Sequence, residues 1–325
     1  MSDPLPCPHG YASGPRGCPI CRRAMPAGVL AADPRNTDAI LRAIDPEPAV
    51  ELGFTSPLWT QFALPYRNPG DIAAWRRSNG TSTLTVRPAT LHQPDGTVVD
   101  GYPYGVIPRL LLVWIATEVT RHGEREVYLG SSIARFMATL GIARTGPSIR
   151  RLGDQVMRLI GCSITVTSTE DTPLGTFQNF AGLMIGAEAR LWWSKRDRHD
   201  QDGLFESSIV LSEEYYRQIL ASAIPVDMAH LAALRGYGGG GLPIDIYCWL
   251  SHRMSYLRSP SRLTWDQLAV QFGSQYSRPR AFKAEYLKAL SKVLAVWPAF
   301  NVQQWERGLI LSRSKTPVSP RALPR

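Results

Sequence analysis

A chain of 325 residues, 44% hydrophobic and 19% charged, holds enough apolar mass for two packed cores, which excludes a disordered or fibrous protein. With 36 Lys and Arg against 27 Asp and Glu, the formal charge of +9 favours a polyanionic partner, although charge alone does not separate DNA from RNA or acidic lipid. The run LLLVWIATEV is too short to cross a membrane, and the first residues are polar and proline-rich where a secretory signal is apolar, so a cytoplasmic protein is expected.

Residues 1–25 carry three of the five cysteines. Cys7, His9, Cys18 and Cys21 form C-x-H-x8-C-x2-C, a ligand set of the number and type that a tetrahedral Zn2+ takes. So small a segment has no core, and metal binding would supply its folding free energy; a tail with idle cysteines is the plainer alternative. Residues 26–53, rich in Ala, Pro and Asp, read as a linker.

Residues 54–193 read as a first domain. Pro and Gly punctuate Leu64-Pro65-Tyr66-Arg67-Asn68-Pro69-Gly70. Turns at Asn79-Gly80 and Pro94-Asp95-Gly96 predict paired strands, either internal or open to a second protomer. Pro108 opens an apolar helix with Trp114 six residues on, a short helix runs from Ser132 to Gly141, and Pro147 starts a third. In that third helix Ile149, Leu152, Val156, Leu159 and Ile160 recur at helical spacing, which leaves Arg150, Arg151 and Arg158 to point out. Thr145 and Ser148 stand at its start, where backbone N–H groups can hold a phosphate. Strands over 163–168 and 176–185, turning at 173–175, are expected to form the hairpin, or wing, of a winged helix. The hydrophilic stretch SKRDRHDQDG at 194–203 is expected to end the domain.

Residues 204–313 read as a second domain, opened by a strand at 207–211 and a helix capped by Ser212. The loop GYGGGG at 236–241 is not a nucleotide-phosphate loop, because Pro rather than Lys-Ser/Thr follows. Pro243 and Trp249 repeat the Pro108 and Trp114 landmarks at an offset of 243 − 108 = 135 residues. Thr264 to Gly273 repeats Ser132 to Gly141, and Pro279 repeats Pro147, both at 132. Thr264 and Gln267 have the spacing of a capping box. In the last helix Phe282, Tyr286, Ala289, Leu290, Val293 and Trp297 make an inner stripe. Arg278, Arg280, Lys283, Lys288 and Lys292 lie off it, against the single acid Glu285.

A short helix, a turn and a basic helix is the arrangement that presents a recognition helix to the DNA major groove; a surface helix in a basic protein would carry the same charges. Short strands around Glu306-Arg307-Gly308 would form a wing with Arg307 at its tip. Residues 314–325 read as a disordered basic tail. The expectation is an α+β protein, two tandem winged-helix domains behind a small N-terminal Cys/His segment.

No catalytic constellation stands out. His92, His122, His199, His230 and His252 are isolated, so Tyr215-Tyr216 lacks the metal-binding histidine pair that a rolling-circle nicking endonuclease would need. No Gly-x-Ser-x-Gly, His-Glu-x-x-His or clustered acids occur. A non-enzymatic protein is expected.

LPYRNP at 64–69, Asn79-Gly80 before Leu84-Thr85, PYGVIPRLLLVWIATE at 103–118, LGSSIARFMATLG at 129–141, IPVD at 224–227 and PIDIYCWLSHR at 243–253 together resemble plasmid replication initiators of the RepA type, over about residues 54 to 312. The resemblance implies binding to repeated sites in double-stranded origin DNA, opening of adjacent A·T-rich DNA, recruitment of host helicase and polymerase, and repression of the protein's own promoter. The Cys/His segment departs from the family. A winged-helix transcriptional repressor without initiator activity is the nearest alternative, and monomer and homodimer both stay open.

Overall fold

The run from Leu110 to Ala116 has no polar face to offer water, and the fold encloses it on all sides. The computed structural model describes residues 51–92, 96–139, 142–143, 145–172, 175–190, 207–236, 240–273 and 278–318. The zinc ligands expected at Cys7, His9, Cys18 and Cys21, most of the expected linker, and the stretch at 194–203 lie outside them.

The first half runs β1 (Leu52–Thr55), α1 (Pro57–Gln61), β2 (Trp75–Asn79), β3 (Ser82–Arg87), β4 (Ala89–His92), β5 (Val98–Gly101), α2 (Val106–His122), β6 (Glu126–Tyr128), α3 (Gly130–Thr139), α4 (Gly146–Gly161), β7 (Ser163–Thr172), β8 (Gly175–Leu183), β9 (Gly186–Arg190) and β10 (Ser208–Leu211). The second runs α5 (Glu213–Ser222), β11 (Ile224–Asp227), α6 (Met228–Gly236), α7 (Leu242–Tyr256), β12 (Ser261–Thr264), α8 (Trp265–Phe272), α9 (Pro279–Val296), β13 (Val302–Trp305) and β14 (Gly308–Leu311). Among the described residues every strand pairing is antiparallel, in five small sheets, so the chain is α+β.

The repeat read from the Pro and Trp landmarks is a repeat of topology. In the second half, helix α7, strand β12, helices α8 and α9 and the hairpin β13–β14 follow one another, and the sheet order is β12-β14-β13. In the first half α2, β6, α3 and α4 come in the same order, and the three-stranded sheet is β6-β10-β9. The hairpin that closes the first unit is therefore β9–β10. The strands expected to be its wing, β7 and β8, exist but extend the β2–β3 hairpin into a separate four-stranded sheet, β2-β3-β7-β8.

The physical reason is length. A ten-residue β7 finds its ladder on β3, from Ser82↔Ser168 to Arg87↔Ser163, whereas β6 has only three residues to offer. The strand expected to open the second domain, β10, pairs with β6 and β9, so its backbone belongs to the first unit's sheet. Two other expectations change. Leu52 and Gly53, expected in a linker, are in β1, paired with β11. Residues 314–318, expected in a disordered tail, pack back. The Trp297 indole donates to the Lys315 carbonyl (3.1 Å), the Ser314 hydroxyl accepts from the Asn301 amide (2.8 Å), and Val318 is buried.

One hydrophobic core runs through both halves. At its centre the two Pro-initiated helices meet near their N-termini. Arg109 of α2 makes a bidentate pair with Asp245 of α7, Nε to Oδ1 and Nη2 to Oδ2 both at 2.8 Å. Its remaining donors go to the carbonyls of Leu64 (2.6 Å), Pro65 (3.2 Å) and Gly105 (2.6 Å), so all five guanidinium N–H groups are used. A Cβ at Gly241 would collide with this guanidinium, so a glycine before α7 is needed for Arg109 to reach across.

The Tyr66 ring lies 4.7 Å under Arg109, and a second guanidinium, that of Arg77, lies over Tyr66 (5.7 Å) and Trp75 (5.1 Å). Burial pushes the Asp245 carboxyl above its ordinary range while Arg109 pulls it back. Burial also opposes the Arg109 charge, but Asp245 outweighs it and the Arg109 pKa rises. The segments LPYRNP, PYGVIPRL and PIDIYCWL thus converge on one buried junction between the repeats.

Candidate nucleic-acid interface

The turn of the second unit is built as its sequence suggests. The Thr264 hydroxyl accepts from the Gln267 amide (3.2 Å) and the Gln267 side chain accepts from the Thr264 amide (2.9 Å), which closes the capping box at the start of α8. Leu268 and Phe272 turn inward from α8, and Phe282 and Tyr286 turn inward from α9. Phe272 lies against Tyr286 at 5.7 Å and against Trp249 of α7 at 5.4 Å, ring centre to ring centre, and these rings fix the angle at which α9 leaves the turn.

Helix α9 has two environments along its length. From Arg278 to Lys288 one face is open: Arg278, Arg280, Ala281, Ala284, Glu285 and Lys288 are exposed. Beyond Lys288 all but the half-buried Ser291 are buried as far as Trp297, because α6 and α7 cover the helix there. Lys292, expected among the outward cations, is 4% exposed. Burial lowers its pKa, Lys288 one turn away adds to this, and Glu285 partly offsets both. It is a core lysine. Lys283 is half-buried, its ammonium 5.0 Å over the Trp265 ring.

Arg307 stands exposed at the turn of β13–β14, and its carbonyl accepts from the Trp265 amide (2.9 Å), which pins the turn to the start of α8. A Cβ on Gly308 would run into the Leu263 backbone, so this close approach of β14 to β12 requires glycine. Arg262 on β12, which helical spacing does not single out, is exposed with its guanidinium 5.8 Å from the Trp305 ring. Only strand register could have found it, since Arg262 lies opposite Ile310 of the hairpin.

In the first unit Thr145 caps α4, accepting from the Ser148 amide (3.4 Å) and donating to the Ser148 hydroxyl (3.0 Å). Both hydroxyls serve the cap, so the expected phosphate site uses groups already engaged with each other. Arg150 and Arg151 are exposed on the open face of α4. Arg158, expected beside them, is turned in. Its side chain is 17% exposed, its guanidinium pairs with Asp154 at 2.9 Å, and it lies 5.7 Å over the Tyr104 ring. The i,i+4 spacing of Asp154 and Arg158 was the available signal.

The tyrosine pair is structural. Tyr215 is fully buried, accepts from the Trp59 indole (3.0 Å), and burial pushes its phenol pKa up. Tyr216 donates to the Gly123 carbonyl (2.6 Å). Among the described residues no group of three metal-ligating side chains occurs, and no helix is long and apolar enough to cross a membrane.

No curated protein matches the chain. Crystal structures of RctB domains 2-3, one of them of the selenomethionine derivative, are similar at TM-scores of 0.46 and 0.48 with 11% and 10% identity. The first aligns over 78% of this chain and 93% of its own, the second over 80% and 97%. Residues 4–22, around the expected zinc ligands, are similar to the Antistasin family. Residues 102–267 match the family described as plasmid encoded RepA protein. That span runs from the residues just before α2 into α8 and stops short of α9. It covers 166 of 325 residues, just over half, and the chain belongs to the plasmid encoded RepA protein family.

Proposed function

We propose that this protein is a plasmid replication initiator that grips origin DNA with two winged-helix modules, α2 to β10 and α7 to β14. The observation that carries the reading is the exposed half of α9. There Arg278, Arg280 and Lys288 stand free of the core at the start of a helix that follows a short capped helix, with Arg307 at the adjoining hairpin tip. Residues near the start of a recognition helix reach base edges, while cations along it and on the wing contact phosphates. Arg150 and Arg151 give α4 the corresponding role in the other module.

One covalent chain makes the second docking intramolecular, so two weak modules give one tight site. Binding would open adjacent A·T-rich DNA and bring host helicase to it, in the cytoplasm and with no catalytic step of the protein's own. Footprinting on the cognate origin is expected to protect roughly two helical turns, with contacts centred about 34 Å apart. A plasmid lacking this reading frame should replicate when the protein is supplied in trans. Protection of a single turn would remove the two-module docking, and binding without replication or origin opening would leave a repressor.

We propose separately, on their ligand types and spacing, that Cys7, His9, Cys18 and Cys21 hold a structural Zn2+. Elemental analysis of the full chain is expected to find about one zinc per chain, abolished by Cys18→Ser with Cys21→Ser. Zinc-free protein purified without chelator would end that assignment.

A further inference from the structure

Arg76 and Arg77 are neighbours on β2, and the alternation of a strand sends them to opposite faces of the four-stranded sheet. Arg76 is exposed, whereas Arg77 turns inward with Trp75 and is 1% exposed. Across the sheet it meets Leu84 of β3 and then Val166 of β7, side chains with nothing to accept a hydrogen bond. The Tyr66 and Trp75 rings, 5.7 and 5.1 Å from the guanidinium, attract its charge but are weak acceptors at best. Nε, Nη1 and Nη2 are all buried, and none has a hydrogen-bond partner among the described residues. The charged groups that bear on Arg77 are Asp245 and Arg109, and both Asp245 oxygens already accept from Arg109. Two buried guanidiniums thus share one carboxylate. One positive charge is left over, and an unpaired buried charge is among the costliest groups a fold can carry.

We propose that the Arg77 guanidinium holds a small monovalent anion, chloride in ordinary buffers, as a built-in counter-charge at the junction of the two repeats. The ion accepts from the N–H edge of the guanidinium, which carries five donors, and brings the junction to two positive and two negative charges. Enclosure sets its size. With Arg77 1% exposed there is no opening for phosphate, a nucleotide or a carboxylic acid, whereas a halide is little larger than a water molecule. Water is the plainer occupant: it accepts hydrogen bonds but leaves the charge unbalanced. The inference does not depend on the DNA-binding reading, because the site lies in the core and not on the open faces of α4 and α9.

Thermal melts of the full chain in sodium chloride and in sodium gluconate, each at about 150 mM so that screening is equal, test it. Gluconate is too large to enter, and Tm is expected to be higher in chloride by roughly 2–4 °C, the shift for about a tenfold excess of ion over its Kd. Arg77→Met should remove the difference between the two salts, whatever its own Tm. Arg87→Met takes an exposed cation from the neighbouring strand β3 and should keep the difference, which separates a seated ion from anions gathered around a surface of charge +9. Crystals grown in sodium bromide should show an anomalous peak at the Arg77 guanidinium, a reading that needs no variant and decides the matter if Arg77→Met does not fold. Equal melting in the two salts, or a chloride effect that survives Arg77→Met, would overturn the proposal. A bromide map without a peak at Arg77 would overturn it whatever the melts show, and would leave water as the partner.

Discussion

Asp245→Ala is expected to destabilise the protein by roughly 3–5 kcal/mol, because it leaves a buried guanidinium without its counter-charge. Arg109 would keep its three carbonyl partners but lose the carboxylate that joins the two repeats at their junction. Arg77 would suffer too. It is 1% exposed, none of its guanidinium nitrogens has a hydrogen-bond partner among the described residues, and Asp245 is among the groups that support its charge against burial. The expected loss in Tm is on the order of 10 °C for a chain of this size.

Arg109→Met with Asp245→Leu should recover part of that loss. The recovery stays incomplete, since the Leu64, Pro65 and Gly105 carbonyls lose their donor and an unmet buried acceptor costs about 1–3 kcal/mol. Thermal and urea melts of the two variants decide it. If Asp245→Ala melts within a degree or two of the unaltered protein, the junction is not what holds the repeats together.

The parts of this fold that are legible in the sequence are those set by local rules. The capping box at Thr264 and Gln267, the Asn79-Gly80 hairpin and the inner stripe of α9 follow from spacing alone, and the structure has each of them. Which strand pairs with which is not legible in this way. β7 and β8 are the strongest strand signals after α4, and nothing in their own residues says that β3 rather than β6 is their neighbour. The hairpin that does close the first unit is split by a hydrophilic stretch that resembles a domain boundary. Lys292 departs from expectation for a related reason. It lies one turn from Lys288 and two from Glu285, so helical spacing gives its face, but a helix can keep its face and change its surroundings along its length. Several of the segments that carry the family resemblance build the Arg109–Asp245 junction rather than an open cationic surface. Residues shared for fold and residues used for function cannot be told apart without coordinates.

The division of α9 into an open half and a covered half makes the second large prediction. Arg278→Ala, Arg280→Ala and Lys288→Ala together should flatten the dependence of log Kobs on log salt by about 2 to 3, at about 0.9 for each phosphate no longer neutralised. Affinity for origin DNA at low salt should fall by orders of magnitude, since the interactions removed are the electrostatic ones. Lys292→Met serves as the internal comparison. It removes a positive charge from the same helix face one turn further on, but from a position with 4% exposure, and should leave the slope where it was. Arg158→Met, which removes a cation tied to Asp154, should likewise leave it unchanged. The paired outcome is what discriminates. A protein attracted to DNA only through its net charge would respond alike to all of these substitutions, whereas one that docks the exposed start of α9 responds to Arg278, Arg280 and Lys288 alone. Equal slopes for Lys288→Ala and Lys292→Met, measured by titration from about 50 to 200 mM salt, would mean that α9 does not lie against the duplex.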